Sequence, residues 1–321
     1  MVTLCTTAIA VLALLAIPTP HLEASPDGVL HKHTFRLGLK DARFRNRQGV
    51  EALQTRIRAR LRAAQLNDYT TSIDGPHNEL KVTVTTSLGN ARLRTLLLST
   101  STLSLVPVAP GGDTLAGLSP LLPDGVVLSE EERHVEGGAS SAFLHSSDVR
   151  ALTSFAQTII LPEHRVHVAP ALLNSKVPGS RTYMVRNDAP NLGSGGLAGV
   201  SIHPHTYPNY YYIRAYWNDE GGDATTQSKA TPQQQLSGAS GLLAVTQVAA
   251  RTTGRMLLLI DGQPASVLSV PEPIDSGVLV IRLPVADQDS QRSAARFLAG
   301  RMASGPHPCD IVVIRAAVER L

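Results

Sequence analysis

After residue 24, no apolar run in this 321-residue chain is longer than a core strand. The most apolar, Met256–Ile260 and Ile311–Ile314, fall far short of the ~18 consecutive apolar residues that mark a membrane helix. The body must therefore assemble its core from many short elements, each apolar along one face. Two periodicities supply them. Thr34–Leu39 alternates as a strand does, and after Gly49 the residues Val50, Leu53, Ile57, Leu61 and Ala64 recur at the spacings of an amphipathic helix. The opposite face of that helix carries Arg56, Arg58, Arg60 and Arg62. With no aromatic side chains nearby to stack on bases, this stripe reads as a solvated face and not as a nucleic-acid surface.

The turn Asp74-Gly75-Pro76 leads to an alternating strand, Glu79–Thr85, then to a helix over Ala91–Leu98 and a β-branched strand, Leu103–Val108. The order strand, helix, strand, helix, strand predicts a small ferredoxin-like base domain over 25–110. Between Ala109 and Gly138 the composition shifts to Gly, Pro, Asp and Glu, so 111–175 reads as a connecting segment that includes a helix from Val149 and a short strand, Arg165–Val168. Strand Arg181–Val185 follows. Tyr207–Trp217 reads as another strand, with Tyr210, Tyr212 and Tyr216 on one face and Tyr211, Ile213 and Trp217 on the other. A helix over Ser240–Arg251, the strand Arg255–Ile260 and the turn Asp261-Gly262 come next. The fold class expected is α+β, with a mixed α/β head domain over 176–321 after the base domain.

The chain opens with an uncharged apolar run, Leu4–Ile17, followed by Pro18 and Pro20. No Lys or Arg precedes it, and Ala24 is the cleavage point the pattern offers, so residues 1–24 read as a signal peptide or an N-terminal anchor. The expected location is extracytoplasmic, in a periplasm, with the chain secreted or held at the membrane by its first segment.

Composition excludes more than it selects. A hydrophobic fraction of 43% with 17% charged residues belongs to a folding chain, and 29 basic residues nearly cancelled by 26 acidic ones name no partner. The only cysteines, Cys5 and Cys309, cannot build a disulfide framework or a paired-cysteine zinc site. Gly193-Ser194-Gly195-Gly196-Leu197-Ala198 fits a dinucleotide loop, but Pro204 and Pro208 fall where its helix should run. The pairs His31/His33, His164/His167 and His203/His205 lack a third ligand at usable spacing and read as loop histidines. No Gly-x-Ser-x-Gly elbow is present. The expectation is no enzyme, no metal and no cofactor.

The C-terminal third carries the most specific pattern. Met256-Leu257-Leu258-Leu259-Ile260-Asp261-Gly262, then Ser266, Glu272-Pro273-Ile274 and Gly277 resemble the head of the first periplasmic region of SecD, the protein-export subunit family. Val267 and Leu268 stand where that family has Ala-Pro. The helix Ser290–Ala303 and the step Ser304-Gly305-Pro306-His307-Pro308 look like the next parts of the same region, and Ile57–Leu61 and Arg181-Thr182-Tyr183 are similar to its base helix and head-opening strand. The family's proton-coupling membrane helices would begin near Leu321, so the resemblance implies the binding part of the machine without its motor. It implies unfolded preprotein as partner, with the translocon or SecF-like membrane proteins nearby, and neither nucleic acid nor a small-molecule cofactor. The residues expected to contact polypeptide are Tyr210, Tyr212 and Trp217 on the aromatic strand and Asp261, Gly262, Ser266, Glu272, Pro273 and Ile274 in the 255–274 segment. The competing reading makes these residues an ordinary strand pair and turn, in a stand-alone interaction module with no export role.

Overall fold

The computed structural model describes residues 29–99, 102–131, 141–170, 179–204, 211–219, 235–283, 288–303 and 310–321. The leader, Tyr210, His205, the 304–308 step and both cysteines lie outside these residues. In chain order the elements are β1 His31–Leu39, α1 Arg47–Ala63, β2 Tyr69–Asp74, β3 Glu79–Thr86, α2 Asn90–Leu98, β4 Leu103–Pro107 and α3 Gly112–Ala116. They continue with β5 Val127–Glu131, β6 Ser141–Ser146, α4 Val149–Thr158, β7 His164–Pro170, β8 Ser180–Arg186, β9 Asn191–Leu192 and β10 Leu197–Pro204. The remainder are β11 Tyr211–Trp217, β12 Gln235–Leu236, α5 Gly238–Arg251, β13 Arg255–Ile260, β14 Gln263–Ser269, β15 Val278–Arg282, α6 Gln288–Met302 and β16 Ile311–Arg320. The fold is α+β.

The first unit is a four-stranded antiparallel sheet in the order β16–β1–β3–β2. The helix α1 is started by Asn46, whose side chain accepts from the Gly49 N–H at 2.8 Å. It lays Val50, Leu53, Ile57 and Leu61 on the sheet's inner residues Phe35, Leu37, Leu80, Val82 and Val84, all buried. With α2 included, the succession β1-α1-β2-β3-α2-β16 is ferredoxin-like, but its last strand arrives from the end of the chain. Leu103–Val108, expected to complete this sheet, does not. As β4 it pairs antiparallel with β13, from Met256 opposite Pro107 to Ile260 opposite Leu103. The reason lies in its side chains. Leu103 and Leu105 bury into one core while Val106 and Val108 bury into another. A strand apolar on both faces needs a layer on each side, whereas the ferredoxin-like sheet keeps one face polar.

β4 and β13 therefore sit inside a five-stranded sheet ordered β12–β9–β4–β13–β14. Met256, Leu258 and Ile260 face α5, α6 and the three-stranded sheet β10–β11–β15, and Leu257 and Leu259 face Tyr183 and Val185 of β8. The stretch read as connecting segment is also more structured than expected. β5, β6 and β7 join β8 in a fourth sheet, ordered β5–β6–β8–β7 and covered by Leu152 and Ala156 of α4. β5 is only Val-Leu-Ser-Glu-Glu, too short and too polar to announce itself by alternation.

Arg60 corrects a second expectation. It is 1% exposed, and its guanidinium donates to the Leu96 and Leu97 carbonyls at 3.2 and 2.8 Å, satisfying the end of α2. Three residues after Ile57, it falls on the buried face and not on the solvated one. Burial lowers its pKa to about 10. Arg58 and Arg62 do lie in solvent, donating to the Thr71 hydroxyl at 2.8 Å and the Tyr69 hydroxyl at 3.2 Å.

Candidate functional site

The segment that carries the SecD resemblance folds as a hairpin, a loop and a strand. Ile260 pairs with Gln263, leaving Asp261 (φ 55°) and Gly262 (φ 74°) as the turn. Both central residues at positive φ make the tight hairpin for which Asp-Gly is a favoured pair. Asp261 also ties the hairpin to its surroundings. Its carboxylate accepts from the Ser99 hydroxyl at 2.6 Å, the Thr102 N–H at 2.9 Å and Arg301 Nη2 at 2.8 Å. One side chain thus joins β13–β14 to the end of α2 and to α6. Ser266 is 3% exposed and its hydroxyl lies 3.4 Å from the Arg282 carbonyl. Glu272 and Pro273 are exposed, and Ile274 is half-buried, donating its N–H to the Thr246 hydroxyl of α5 at 2.9 Å.

The aromatic strand β11 is the middle strand of its sheet, paired with β10 on one side and β15 on the other. The alternation expected from sequence holds. Ile213, Ala215 and Trp217 turn into the core, with Trp217 at 4% exposure and its indole N–H 3.4 Å from the Gly193 carbonyl. Its backbone N–H is engaged as well, with Gly277, whose φ of 69° and backbone contact leave no room for a β-carbon. Tyr212, Arg214 and Tyr216 occupy the outer face. Tyr212 stacks on His203 with centroids 5.5 Å apart and an angle of 20°, and the Arg214 guanidinium lies 5.5 Å from the Tyr212 ring.

The nine candidates therefore do not converge on one surface. Trp217 and Ser266 belong to the core, Asp261 and Gly262 to the turn that anchors the hairpin, Glu272, Pro273 and Ile274 to a loop over α5, and Tyr212 to the outer sheet face; Tyr210 lies outside the described residues. Sequence reading did not join to Tyr212 its cross-strand partners His203 and Arg282, nor the next outer row, Ser201 opposite Arg214. Arg214 was legible by its even position between Tyr212 and Tyr216, but the strands beside it could not be paired from sequence.

The remaining motifs resolve into structure. The glycine loop at 193–196 opens strand β10, not a phosphate-binding helix. His164 and His167, three apart on β7, project from opposite faces and cannot share an ion. His33 is 1% exposed and stacked on Phe35, and burial, followed by repulsion from His31, lowers its pKa. His203 lies 2.8 Å from the Ser201 hydroxyl. Among the described residues no group of three or more His, Cys, Asp or Glu could hold a metal, and no helix is long and apolar enough to cross a membrane. A shallow depression of about 240 Å³ on the ferredoxin-like sheet is lined by Arg36, Ser72, Ile73, Asp74, Glu79 and Lys81. Within it Arg36 lies 3.3 Å from Asp74 and 3.5 Å from Glu79.

Solved structures that this chain resembles include three of SecDF. A crystal structure of SecDF in a super-membrane-facing form is 14% identical with a TM-score of 0.45, covering 91% of this chain and 30% of its own. A structure of the membrane component SecDF that enhances protein export is 14% identical with a TM-score of 0.41, covering 88% of this chain and 98% of its own. SecDF of Thermus thermophilus, a translocon-associated membrane protein, is 12% identical with a TM-score of 0.30, covering 90% of this chain and 31% of its own. The chain thus spans about 30% of the length of the first of these. No family model and no curated protein matches it.

Proposed function

We propose that this chain is an extracytoplasmic module that assists protein export by transiently holding unfolded preprotein. The observation that carries the reading is the run from Met256 to Gly277, in which a hydrophobic strand, Asp-Gly turn, Ser266 and Glu272-Pro273-Ile274 keep the spacing of the SecD head. The geometry is compatible with such work. β10 and β15 are the edges of their sheet, and an edge strand offers main-chain hydrogen bonds to an extended chain with little sequence preference. Among the nine residues nominated by sequence, Tyr212, Glu272 and Pro273 are those positioned to meet such a chain.

Ordering a flexible polypeptide consumes much of its contact energy, so the affinity expected is roughly micromolar to millimolar unless a third component holds the two together. Titration of a labelled unfolded preprotein with the full chain, read by anisotropy, tests the reading. Saturable binding in that range supports it. Absence of binding at high protein concentration, with export kinetics unchanged on deletion, replaces it with the stand-alone interaction module.

A further inference from the structure

The outer face of the sheet β10–β11–β15 has an unusual balance of groups. Its cross-strand rows are His203–Tyr212–Arg282, Ser201–Arg214–Val280 and Gly199–Tyr216–Val278. Guanidinium, phenol, imidazole and hydroxyl groups are all present, and none of these residues is an Asp or Glu. α5 and α6 pack against the opposite face, on Ile213, Ala215, Leu279 and Ile281. The polar groups are held in place by one another. His203 bonds Ser201 and stacks on Tyr212, and Arg214 lies beside the Tyr212 ring. Asp219, just past the end of β11, is turned away to the start of α5, where it accepts from the Ser240 N–H and hydroxyl, both at 3.1 Å.

We propose that this face binds carboxylate-bearing stretches of extended polypeptide, so that the chain grips acidic segments in preference to basic ones. The inference rests on the reading above that the partner is unfolded polypeptide, and it adds which surface and which side chains. Guanidinium groups and phenols donate to carboxylates in well-defined geometry, and the described rows of this face hold no carboxylate to compete for them. The spacing also fits. Arg282 opposes Tyr212 while Arg214 sits two residues further along β11, a diagonal of ~7–8 Å between neighbouring strands. Alternate side chains of an extended chain are separated by roughly 7 Å, so carboxylates at positions i and i+2 can reach both arginines. A single-stranded nucleic acid is the weaker fit, because His203 and Arg214 already flank the Tyr212 ring on which a base would stack.

The test uses the full chain and three labelled unfolded peptides of equal length that differ only in carrying Glu, Gln or Lys at alternate positions. The Glu peptide should bind tightest and weaken with added salt. Arg214→Gln or Arg282→Gln should each weaken it by about threefold to fivefold, and the double variant by about tenfold, as expected for solvent-exposed charge pairs. Arg36→Gln on the ferredoxin-like sheet should change nothing, and unchanged thermal melting of each variant shows that the fold is intact. Equal affinity for the three peptides, no effect of the double variant, or tighter binding of a single-stranded DNA oligonucleotide than of the Glu peptide overturns this inference and leaves polypeptide binding standing. Failure of all three peptides to bind overturns both.

Discussion

Two antiparallel sheets in this molecule have the same layout and opposite chemistry. Each is covered by helices on one face and polar on the other. The outer face of the ferredoxin-like sheet carries both signs of charge, with Asp74, Glu79 and Glu319 among its cations. Arg36 is shared between Asp74 and Glu79, Lys32 stands 3.7 Å from Glu319, and Thr34 meets Thr83 at 3.4 Å. The outer face of β10–β11–β15 brings together Arg214, Arg282, His203, Tyr212 and Tyr216, with no carboxylate among the described residues of its cross-strand rows. A polar sheet face that pairs its own charges has little left to offer a ligand, whereas one that gathers donors of one kind does. The carboxylates standing beside the arginines of one sheet, and not among the described rows of the other, thus set the two faces apart where burial and topology do not.

The inner faces should be the most sensitive part of either sheet. Phe35→Ala removes a fully buried ring from the ferredoxin-like core and should destabilise by ~3–5 kcal/mol. Tyr212→Ala on the outer face of the other sheet should leave the melting temperature nearly unchanged. Comparable losses in the two variants, followed by circular dichroism, would erase the distinction between inner and outer faces.

The junction between the two units should rank next. Asp261→Ala removes the carboxylate that accepts from the Ser99 hydroxyl, the Thr102 N–H and Arg301. A loss of about 2 kcal/mol or more is expected from a broken, partly buried charged network. Gly262→Val forces a β-branched residue into φ 74° and should cost about 1 kcal/mol or more, although the turn itself has open space. A melting curve like that of the unaltered protein would show that this turn does not hold the hairpin to α2 and α6.

Acidification should separate the units further. Burial of His33, reinforced by His31, holds its pKa in the folded protein below the ordinary value of 6.5. Unfolding therefore takes up a proton between the two values. The stabilisation is complete above about 6.5 and declines as pH falls through that value towards the folded pKa. His145 and His167, both lowered chiefly by burial, act in the same direction, so His33→Leu should reduce the slope of stability between pH 7.5 and 5 without abolishing it. An unchanged slope would exclude His33 from the acid response. The smallest effect expected is that of Arg36→Gln. Its ion pairs are only partly buried, and less than ~1 kcal/mol should be lost.

Much of the local structure was legible from residue order. The helical spacing of Val50, Leu53, Ile57 and Leu61, the alternation through β11, the hydrophobic run of β13 and the Asp261-Gly262 turn all rest on side chains within one element, where periodicity and turn chemistry act directly. Tyr212 and Trp217 were separated correctly to opposite faces for the same reason. Neighbours across strands were not legible. Whether Leu103–Val108 closes the first sheet or enters the second depends on which distant strand can bury both of its faces, and the answer, β13, lies some 150 residues away. The fate of Arg60 depended on α2 presenting bare carbonyls beside it, and the donor-rich face depended on the register that sets His203 and Arg282 on either side of Tyr212. Sequence determines what each element offers along its own axis; the pairing of elements far apart in the chain decides which of those offers are buried, neutralised or left facing solvent, because burial and charge compensation are properties of neighbours in space.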